Sequence, residues 1–541
     1  MSALKIFSKF SSNGSFFSCL AILTAVALVY GHTASFDLTL FDDNLLVSNA
    51  LYDSVRNIPS LFLTDVFNNG SRFYRPVLNI SFMADYLLNA PGYFAFHFTN
   101  IALHALSCIL VYFFLLKNNF KNDIACPMAV LFAVHPAFSQ AVAWLPGRND
   151  TLLTCLVISS LLCFHEYIEC NSEDVKSSSF MKNKKTLFLL AHVFFFLLAL
   201  FTKETAVILP LAVFLYYFFL ADELPVNKKE NAAISVKSCF LSIFASARLF
   251  AKKYKTLLLL YLLSFAIYFA LRVLSGTASA DLDYIETIKG LFLIPVFFFK
   301  AFFSPNLTVY KRWAYFSLPA LIAFFILFYI CLRLTVSKQK GKYVFGILSA
   351  FLFLAVTFAK TKGIFPFFMM HRFYLPSVFL LFSLSSFVYG PMFRKVNFPV
   401  FAFLLAFFLA SWSFVQCSYF NNQLSYWERA CIEMPNDFTA QAFSAMNHYE
   451  KNMISMAVKR AVKALAIKPE HEDMNMILGI AELKKGNIAA GLDYMRKEIN
   501  NNPENKTALA LANTLENLVS QGITNAKIHF QYDMARKNIK K

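Results

Sequence analysis

Two adjacent carboxylates, Asp42 and Asp43, lie about a dozen residues after an apolar run at 16–31 that could begin a membrane crossing. Ionised acids at a membrane are costly, so their default reading is functional. A partly desolvated carboxylate near a reacting centre can act as a general base. Neighbouring side chains point in different directions, so one acid faces a substrate while the other holds a turn, orients a ligand or binds a cation. The plainer alternative is a solvated loop acid capping a helix. Downstream, Arg72-Phe73-Tyr74-Arg75-Pro76 places a guanidinium between aromatic and proline residues. Arg75 suits phosphate, which accepts two parallel charge-assisted hydrogen bonds; snorkelling to lipid headgroups is its competitor.

Further polar residues interrupt the apolar chain. Gly147-Arg148-Asn149-Asp150 reads as a tight turn before a span. Asp150 either complements a helix N-terminus or forms a second acid across a cavity, with Arg148 beside it. Lys203-Glu204 divides two apolar runs, as an ion-paired hairpin turn or as cavity lining. Lys360, Lys362, His371 and Arg372 form a basic stretch that would hold the phosphate of a lipid carrier, or plain anionic headgroups.

His97 and His104 are seven residues apart on one apolar run, where hydrogen-bonded packing is favoured over metal binding. His135-Pro136 reads as a kink with a satisfied imidazole. The ten cysteines contain no C-x-x-C pair, which excludes a recognisable zinc site or disulfide framework. No G-x-x-x-x-G-K-[ST], G-x-G-x-x-G or H-E-x-x-H pattern occurs. Asp281-Leu282-Asp283 spells D-x-D but falls in a short loop and reads as chance. No metal site and no required cofactor emerge, and a divalent cation stays open.

The elements that must position these residues are hydrophobic. The 541 residues are 58% hydrophobic and 15% charged, with 65 phenylalanines. That composition belongs to a multi-pass membrane protein. Eleven candidate spans fall at 16–31, 93–116, 126–143, 150–168, 186–201, 203–220, 256–274, 315–334, 343–359, 373–390 and 397–414. The first lacks a small-x-small cleavage site and is taken as a retained span. The net charge of +18 is mostly loop Lys and Arg that fix topology, not a nucleic-acid footprint. Basic clusters at Lys176–Lys185, Lys228–Lys255, Arg333–Lys342 and Arg394–Lys395 mark the inside, while the acidic 275–287 loop reads as outside. Keeping two of those clusters on one face requires 288–303 to be re-entrant or interfacial. Eleven spans then put 32–92, 144–150, 201–204, 275–314 and 360–372 on the outer face, together with the C-terminal tail.

The tail, 415–541, is more polar. Pro435, Pro469 and Pro503 are spaced by 34 residues, the tetratricopeptide (TPR) period. Ala445, Ala457, Ala464, Leu478, Gly479 and Gly486 fall at small and turn positions. Trp427 and Ala430 fit a partial first repeat, and Ala526 and Phe530 a degenerate last one. The expected fold class is therefore all-α: a polytopic helix bundle over 1–414, followed by a TPR helical solenoid that binds a polypeptide or supports the membrane body.

Read in order, FDDN at 41–44, YRPV at 74–77, FHFTNIALHAL at 96–106, LFAVHPAFSQAVAWLPGRND at 131–150, FTKE at 201–204 and HRFYLPS at 371–377 resemble the transmembrane-and-TPR O-mannosyltransferase-like family. The resemblance covers nearly the whole chain and rests on the order and spacing of short motifs. It implies a C-type glycosyltransferase fold and sugar transfer from a polyprenyl-phosphate donor to a protein Ser or Thr hydroxyl, with inversion. Carried over, Asp42 or Asp43 is the base, Arg75 and Arg372 hold the donor phosphate, and Asp150, Arg148, Lys203 and Glu204 line the cavity. Where related chains often carry an acid before the last arginine, this chain has His371. The implied partners are a polyprenyl-phosphate-linked sugar, a polypeptide on the TPR face and membrane lipid. The implied location is a bacterial inner membrane with a periplasmic tail, or the endoplasmic reticulum with a lumenal one. Transfer to a lipid-linked or envelope glycan, and a non-enzymatic TPR scaffold, are the alternatives. A scaffold predicts that the polar residues are dispersed.

Overall fold

The computed structural model describes residues 13–39, 42–89, 91–170, 179–221, 236–277, 284–303, 308–309, 317–358, 368–393 and 396–523. Asp281, Asp283, Lys360, Lys362, Arg394, Lys395, Ala526 and Phe530, and the first parts of the basic clusters at 176–185 and 228–255, fall outside them. The chain divides into two units, Met1–Ser418 and Tyr419–Lys541. The last apolar helix runs Phe398–Ser418, so it carries past residue 414 before the polar unit begins.

Among the described residues, the regular structure of the first unit is helical apart from one antiparallel pairing of Thr308–Val309 with Phe368–Met369. Among the described residues, seven helices are long and apolar enough to cross a membrane: Gly14–Ser35, Phe94–Lys117, Leu145–Glu169, Asn183–Leu200, Lys255–Leu274, Ser337–Val356 and Phe398–Ser418. An eighth is bent by 49° between Asn122–Ala133 and Pro136–Ala143. The bend falls at His135-Pro136, as the sequence predicts, because proline cannot donate to the preceding turn. The His135 ring accepts the Ala137 N–H at 3.2 Å. The expected spans at 203–220 and 315–334 are shorter helices, Glu204–Leu220 and Leu318–Leu334. The one expected at 373–390 is the 14-residue helix Tyr374–Phe387. The chain is thus multi-pass, with fewer full-length helices than the eleven hydropathic segments. The 288–303 segment is broken at Leu293 into Tyr284–Phe292 and Ile294–Phe303.

Burial sorts these helices. Of the Leu145–Glu169 window 61% is buried, against 22% for Lys255–Leu274, so the former is a central post and the latter lies at the periphery. Close crossings depend on small residues. A Cβ on Gly346 would come within 2.4 Å of the Phe379 carbonyl oxygen, locking Lys340–Val356 against Tyr374–Phe387. His104 sits in this core, its ring nitrogens 2.6 Å from the Tyr374 hydroxyl and 2.9 Å from the Ala133 oxygen.

The second unit is a succession of six described helices: Gln423–Glu433, Phe438–Glu450, Ile454–Ile467, Met474–Lys485, Ile488–Asn501 and Lys506–Ser520. Each packs on the next. Pro435, Pro469 and Pro503 each stand two residues past a helix end. The buried Ala445, Ala457, Ala461 and Ala464 let the second and third helices approach. Gly486 ends the fourth helix at φ +98°, a conformation that favours glycine.

Candidate active site

The loop after the first helix carries the acidic pair, and the structure separates its two members. Asp43 opens the short helix Asp43–Val47 and is 1% exposed. Its carboxylate accepts the Thr39 N–H at 2.8 Å, the Thr39 hydroxyl at 2.9 Å and the Trp144 indole N–H at 2.7 Å. Burial pushes its pKa up and these donors oppose that rise. Asp42 is only partly buried, and its carboxylate makes no hydrogen bond within the described residues. Burial, then the charge of Asp43, push its pKa up to about 6, and the positive charge of Arg75 restrains the rise. The pair is therefore one acid held by three donors and one acid whose carboxylate is left open among the described residues.

Arg75 is placed by the proline that follows it. Pro76 begins the helix Pro76–Leu87, so the preceding residues stay extended. The loop before it is wound around Asp65, whose carboxylate accepts the N–H groups of Phe67, Asn69 and Gly70 and the Ser71 hydroxyl at 2.6–3.2 Å. Arg75 donates to Glu204 at 3.0 Å and to Asn149 at 3.2 Å, and its guanidinium lies 4.6 Å from the Phe73 ring centroid. The Val77 N–H bonds to the Phe201 oxygen at 3.1 Å, which ties this loop to the 201–204 turn.

Lys203 and Glu204 do not pair with each other. Glu204 takes Arg75, while the Lys203 ammonium reaches both oxygens of Asp150 at 2.7 Å. Asp150 lies in the first turn of Arg148–Glu169, and the His371 ring is 3.8 Å away from it. Burial pulls the Lys203 and His371 pKa values down; Arg75 and Arg372 lower both further. Arg372 lies within electrostatic reach of Asp150, Arg75 and Glu204, and also donates to the Thr357 oxygen at 3.3 Å. Segments 42–43, 75, 149–150, 203–204 and 371–372 thus meet at one end of the bundle.

Arg148 does not join them. It is fully buried and holds Asp85 at 2.5 Å, Asn100 at 2.8 Å, the Ser81 oxygen at 3.0 Å and the Phe96 oxygen at 2.7 Å, over the Phe82 ring. Its expected place in the cavity is corrected accordingly: a guanidinium with this many partners pins helices together. The 147–150 turn is also not an open loop, since Arg148, Asn149 and Asp150 are all buried. Sequence reasoning missed Thr39, Gln140, Trp144 and Asn149. Trp144 and Asn149 sit inside the motif that ends at Asp150, which was the available signal.

Among the described residues no group of three or more His, Cys, Asp or Glu side chains could hold a metal ion.

Comparison with known proteins adds a relationship. No family model matches the chain. Human protein O-mannosyl-transferase TMTC1 is 33% identical over 172 residues, 32% of this chain and 19% of that protein. The Drosophila melanogaster Tmtc1 protein is 29% identical over 196 residues, 35% of this chain and 21% of the relative. The Caenorhabditis elegans protein O-mannosyl-transferase F38B6.6 is 28% identical over 168 residues, 29% of this chain and 24% of the relative. The matches span about a fifth to a quarter of each relative's length. Among solved structures, the Saccharomyces cerevisiae Pmt1-Pmt2 protein O-mannosyltransferase complex overlaps 48% of this chain and 34% of its own, at 15% identity and a TM-score of 0.30. The Archaeoglobus fulgidus oligosaccharyltransferase overlaps 83% of this chain and 59% of its own, at 13% identity and a TM-score of 0.38. Over about a third of its length, the chain is similar to protein O-mannosyl-transferases of the TMTC group.

Proposed function

We propose that this chain is a membrane glycosyltransferase that moves a hexose, such as mannose, from a polyprenyl-phosphate donor to a Ser or Thr hydroxyl of a polypeptide. The observation that carries this reading is Asp42: a partly buried carboxylate without a hydrogen bond among the described residues, its pKa pushed up to about 6 by burial, within the field of Arg75. A base with that pKa is mostly ionised at neutral pH and still holds a proton well. In the proposed step Asp42 takes the proton of the acceptor hydroxyl. The hydroxyl oxygen bonds to the anomeric carbon from the face opposite the phosphate. The bond from that carbon to the phosphate oxygen breaks, and polyprenyl phosphate leaves with the electron pair. Arg75 and Arg372 stabilise the charge that develops on it, and the Lys203–Asp150 and Arg75–Glu204 pairs hold the cations in place beforehand. The meeting of these residues at one end of the bundle speaks against a pure scaffold, which has no use for it.

In the same reading, the fold is C-type glycosyltransferase-like. The second unit is a TPR domain that presents the acceptor, and both it and the acidic loop face the periplasm of a bacterial inner membrane. An endoplasmic reticulum location with a lumenal tail is the eukaryotic counterpart. The test is transfer of radiolabelled mannose from polyprenyl-phosphate mannose to a Ser/Thr-rich peptide by the full chain in lipid nanodiscs. Wild type transfers, Asp43→Asn retains part of the activity, and Asp42→Asn transfers nothing above background. Full activity of Asp42→Asn, or no transfer by wild type with any polyprenyl-phosphate hexose, would falsify the reading.

A further inference from the structure

Between Trp144, which binds Asp43, and Asp150 lie two buried nitrogens without partners among the described residues. Gln140, on the short helix Ser139–Ala143, is 3% exposed, and His371 is 7% exposed. The two residues are tied together, because the Gln140 side-chain oxygen accepts the His371 backbone N–H at 3.1 Å. That bond leaves the Gln140 amide nitrogen as a donor and the His371 Nδ1 as a second open position, neither with a partner among the described residues. Buried polar groups are seldom left unpaired, so each such atom calls for an explanation. The surroundings narrow it. Trp144 walls the place, its ring centroid 5.4 Å from that of His371, and its indole N–H is held by Asp43. On the other side of the imidazole, Nε2 faces Asp150 at 3.8 Å. Burial and the nearby cations Lys203, Arg372 and Arg75 keep the ring neutral. A neutral imidazole with its proton on Nε2, toward Asp150, leaves Nδ1 as an acceptor.

A donor and an acceptor carried by two joined residues, beside an aromatic wall, suit a group that both gives and takes a hydrogen bond, as a sugar alcohol does. We propose that Gln140 and His371 read one hydroxyl of the donor sugar and so help set which hexose the enzyme takes. Both nitrogens are enclosed in this conformation, so engagement involves a side-chain rotation of Gln140 or His371. A site built to bond a hydroxyl discriminates strongly against an analogue that lacks it, because its own polar groups are then left unpaired.

This inference rests on the polyprenyl-phosphate reading, and the test separates the two. The affinity of the full chain in detergent is measured for a short-chain isoprenyl phosphate and for the same lipid carrying mannose. In wild type the sugar tightens binding by about tenfold or more. Gln140→Glu keeps the oxygen that accepts the His371 N–H and removes the donor. It reduces the sugar increment, taken as the ratio of the two affinities in the same variant, to about twofold or less. His371→Leu does the same, and His371→Asn, whose side-chain oxygen can stand where Nδ1 stood, restores part of the increment. Melting curves show that each variant is folded, and Gln140→Met serves if Gln140→Glu is not. An unchanged sugar increment in folded variants overturns the inference. So does an intact increment with a raised KM for the acceptor peptide, which would assign the hydroxyl to the acceptor. Binding of neither lipid by wild type instead overturns the underlying reading.

Discussion

Two clusters of buried charge lie a few residues apart along the chain and differ in how completely they are satisfied. Around Arg148, every principal direction of the guanidinium is filled: Asp85, Asn100, the Ser81 and Phe96 oxygens and the face of Phe82. Around Asp150, the ion pairs are held but the neighbourhood is unfinished. Among the described residues the Asp42 carboxylate has no hydrogen bond, one Glu204 oxygen lacks a partner, and so do the Gln140 amide nitrogen and His371 Nδ1. Similar residue types do different work in the two places: the Arg148 guanidinium, enclosed on every side, fixes helices, whereas the open donors and acceptors in the more accessible cluster hold bonding capacity that a substrate can use.

Single substitutions can break or sharpen this contrast. The largest effect belongs to Asp42→Asn. Transfer falls by about 10²–10⁴-fold, the range expected when a general base is lost. The protein meanwhile becomes more stable. The raised pKa means that the folded state holds the Asp42 proton more tightly than the unfolded chain does. Stability from this group is present at low pH and is lost as pH rises from about 4 through about 6. At pH 7.5 the asparagine variant should therefore exceed wild type by about 1–3 kcal/mol. That gap should close below about pH 4 in thermal melts. A less stable variant at pH 7.5 would place Asp42 in the closed class.

Arg148→Ala should do the opposite. It leaves Asp85 charged and buried without its partner, at a cost of about 3–5 kcal/mol. Melting temperature and yield of folded protein would report it, and loss of activity would follow loss of fold. Asp43→Asn falls between the two. Its amide cannot accept from both Thr39 and Trp144, so one buried donor is left unpaired, costing about 1–3 kcal/mol. Transfer should drop but survive; complete loss with normal folding would move the base to Asp43. Gly147→Ala should cost a similar or smaller amount, about 1–3 kcal/mol. A Cβ there would come 2.5 Å from the Gln140 backbone oxygen and 2.7 Å from Ala141, and backbone atoms cannot step aside easily.

The smallest effect is on the pH profile. Transfer should rise with pH through an apparent pKa of about 6, as Asp42 loses its proton. Arg75→Gln removes the nearby positive charge that restrains that pKa, so the acid limb should move to higher pH while the overall rate also falls. A limb that stays in place in this variant would mean that Asp42 and Arg75 do not share a field.

Much of this was legible beforehand for particular reasons. Long apolar runs read as helices because a membrane leaves the backbone no other partner. The kink at His135-Pro136 was legible because proline lacks an N–H. Asp42, Arg75, Asp150, Lys203 and Glu204 stood out as polar residues that apolar chain would otherwise exclude. Arg148 was misread because burial is a property of the packed bundle. Nothing in Gly147-Arg148-Asn149-Asp150 states that one charge turns toward Asp85 and another toward Lys203. Lys203 and Glu204 look like a pair because they are adjacent, yet each reaches across to a different segment.

By itself, then, the sequence determined the class of this protein, a polytopic all-α chain with a polar helical tail, together with the set of residues able to do chemistry. Those are matters of composition, period and spacing, which local physics decides. Only the tertiary structure decided which partners each member of that set takes. Whether an acid is anchored or left open depends on which donors reach it: Thr39 and Trp144 for Asp43, none among the described residues for Asp42. That distribution of partners is fixed when the 42–43, 75, 144–150, 203–204 and 371–372 segments meet, and a linear reading cannot assign it.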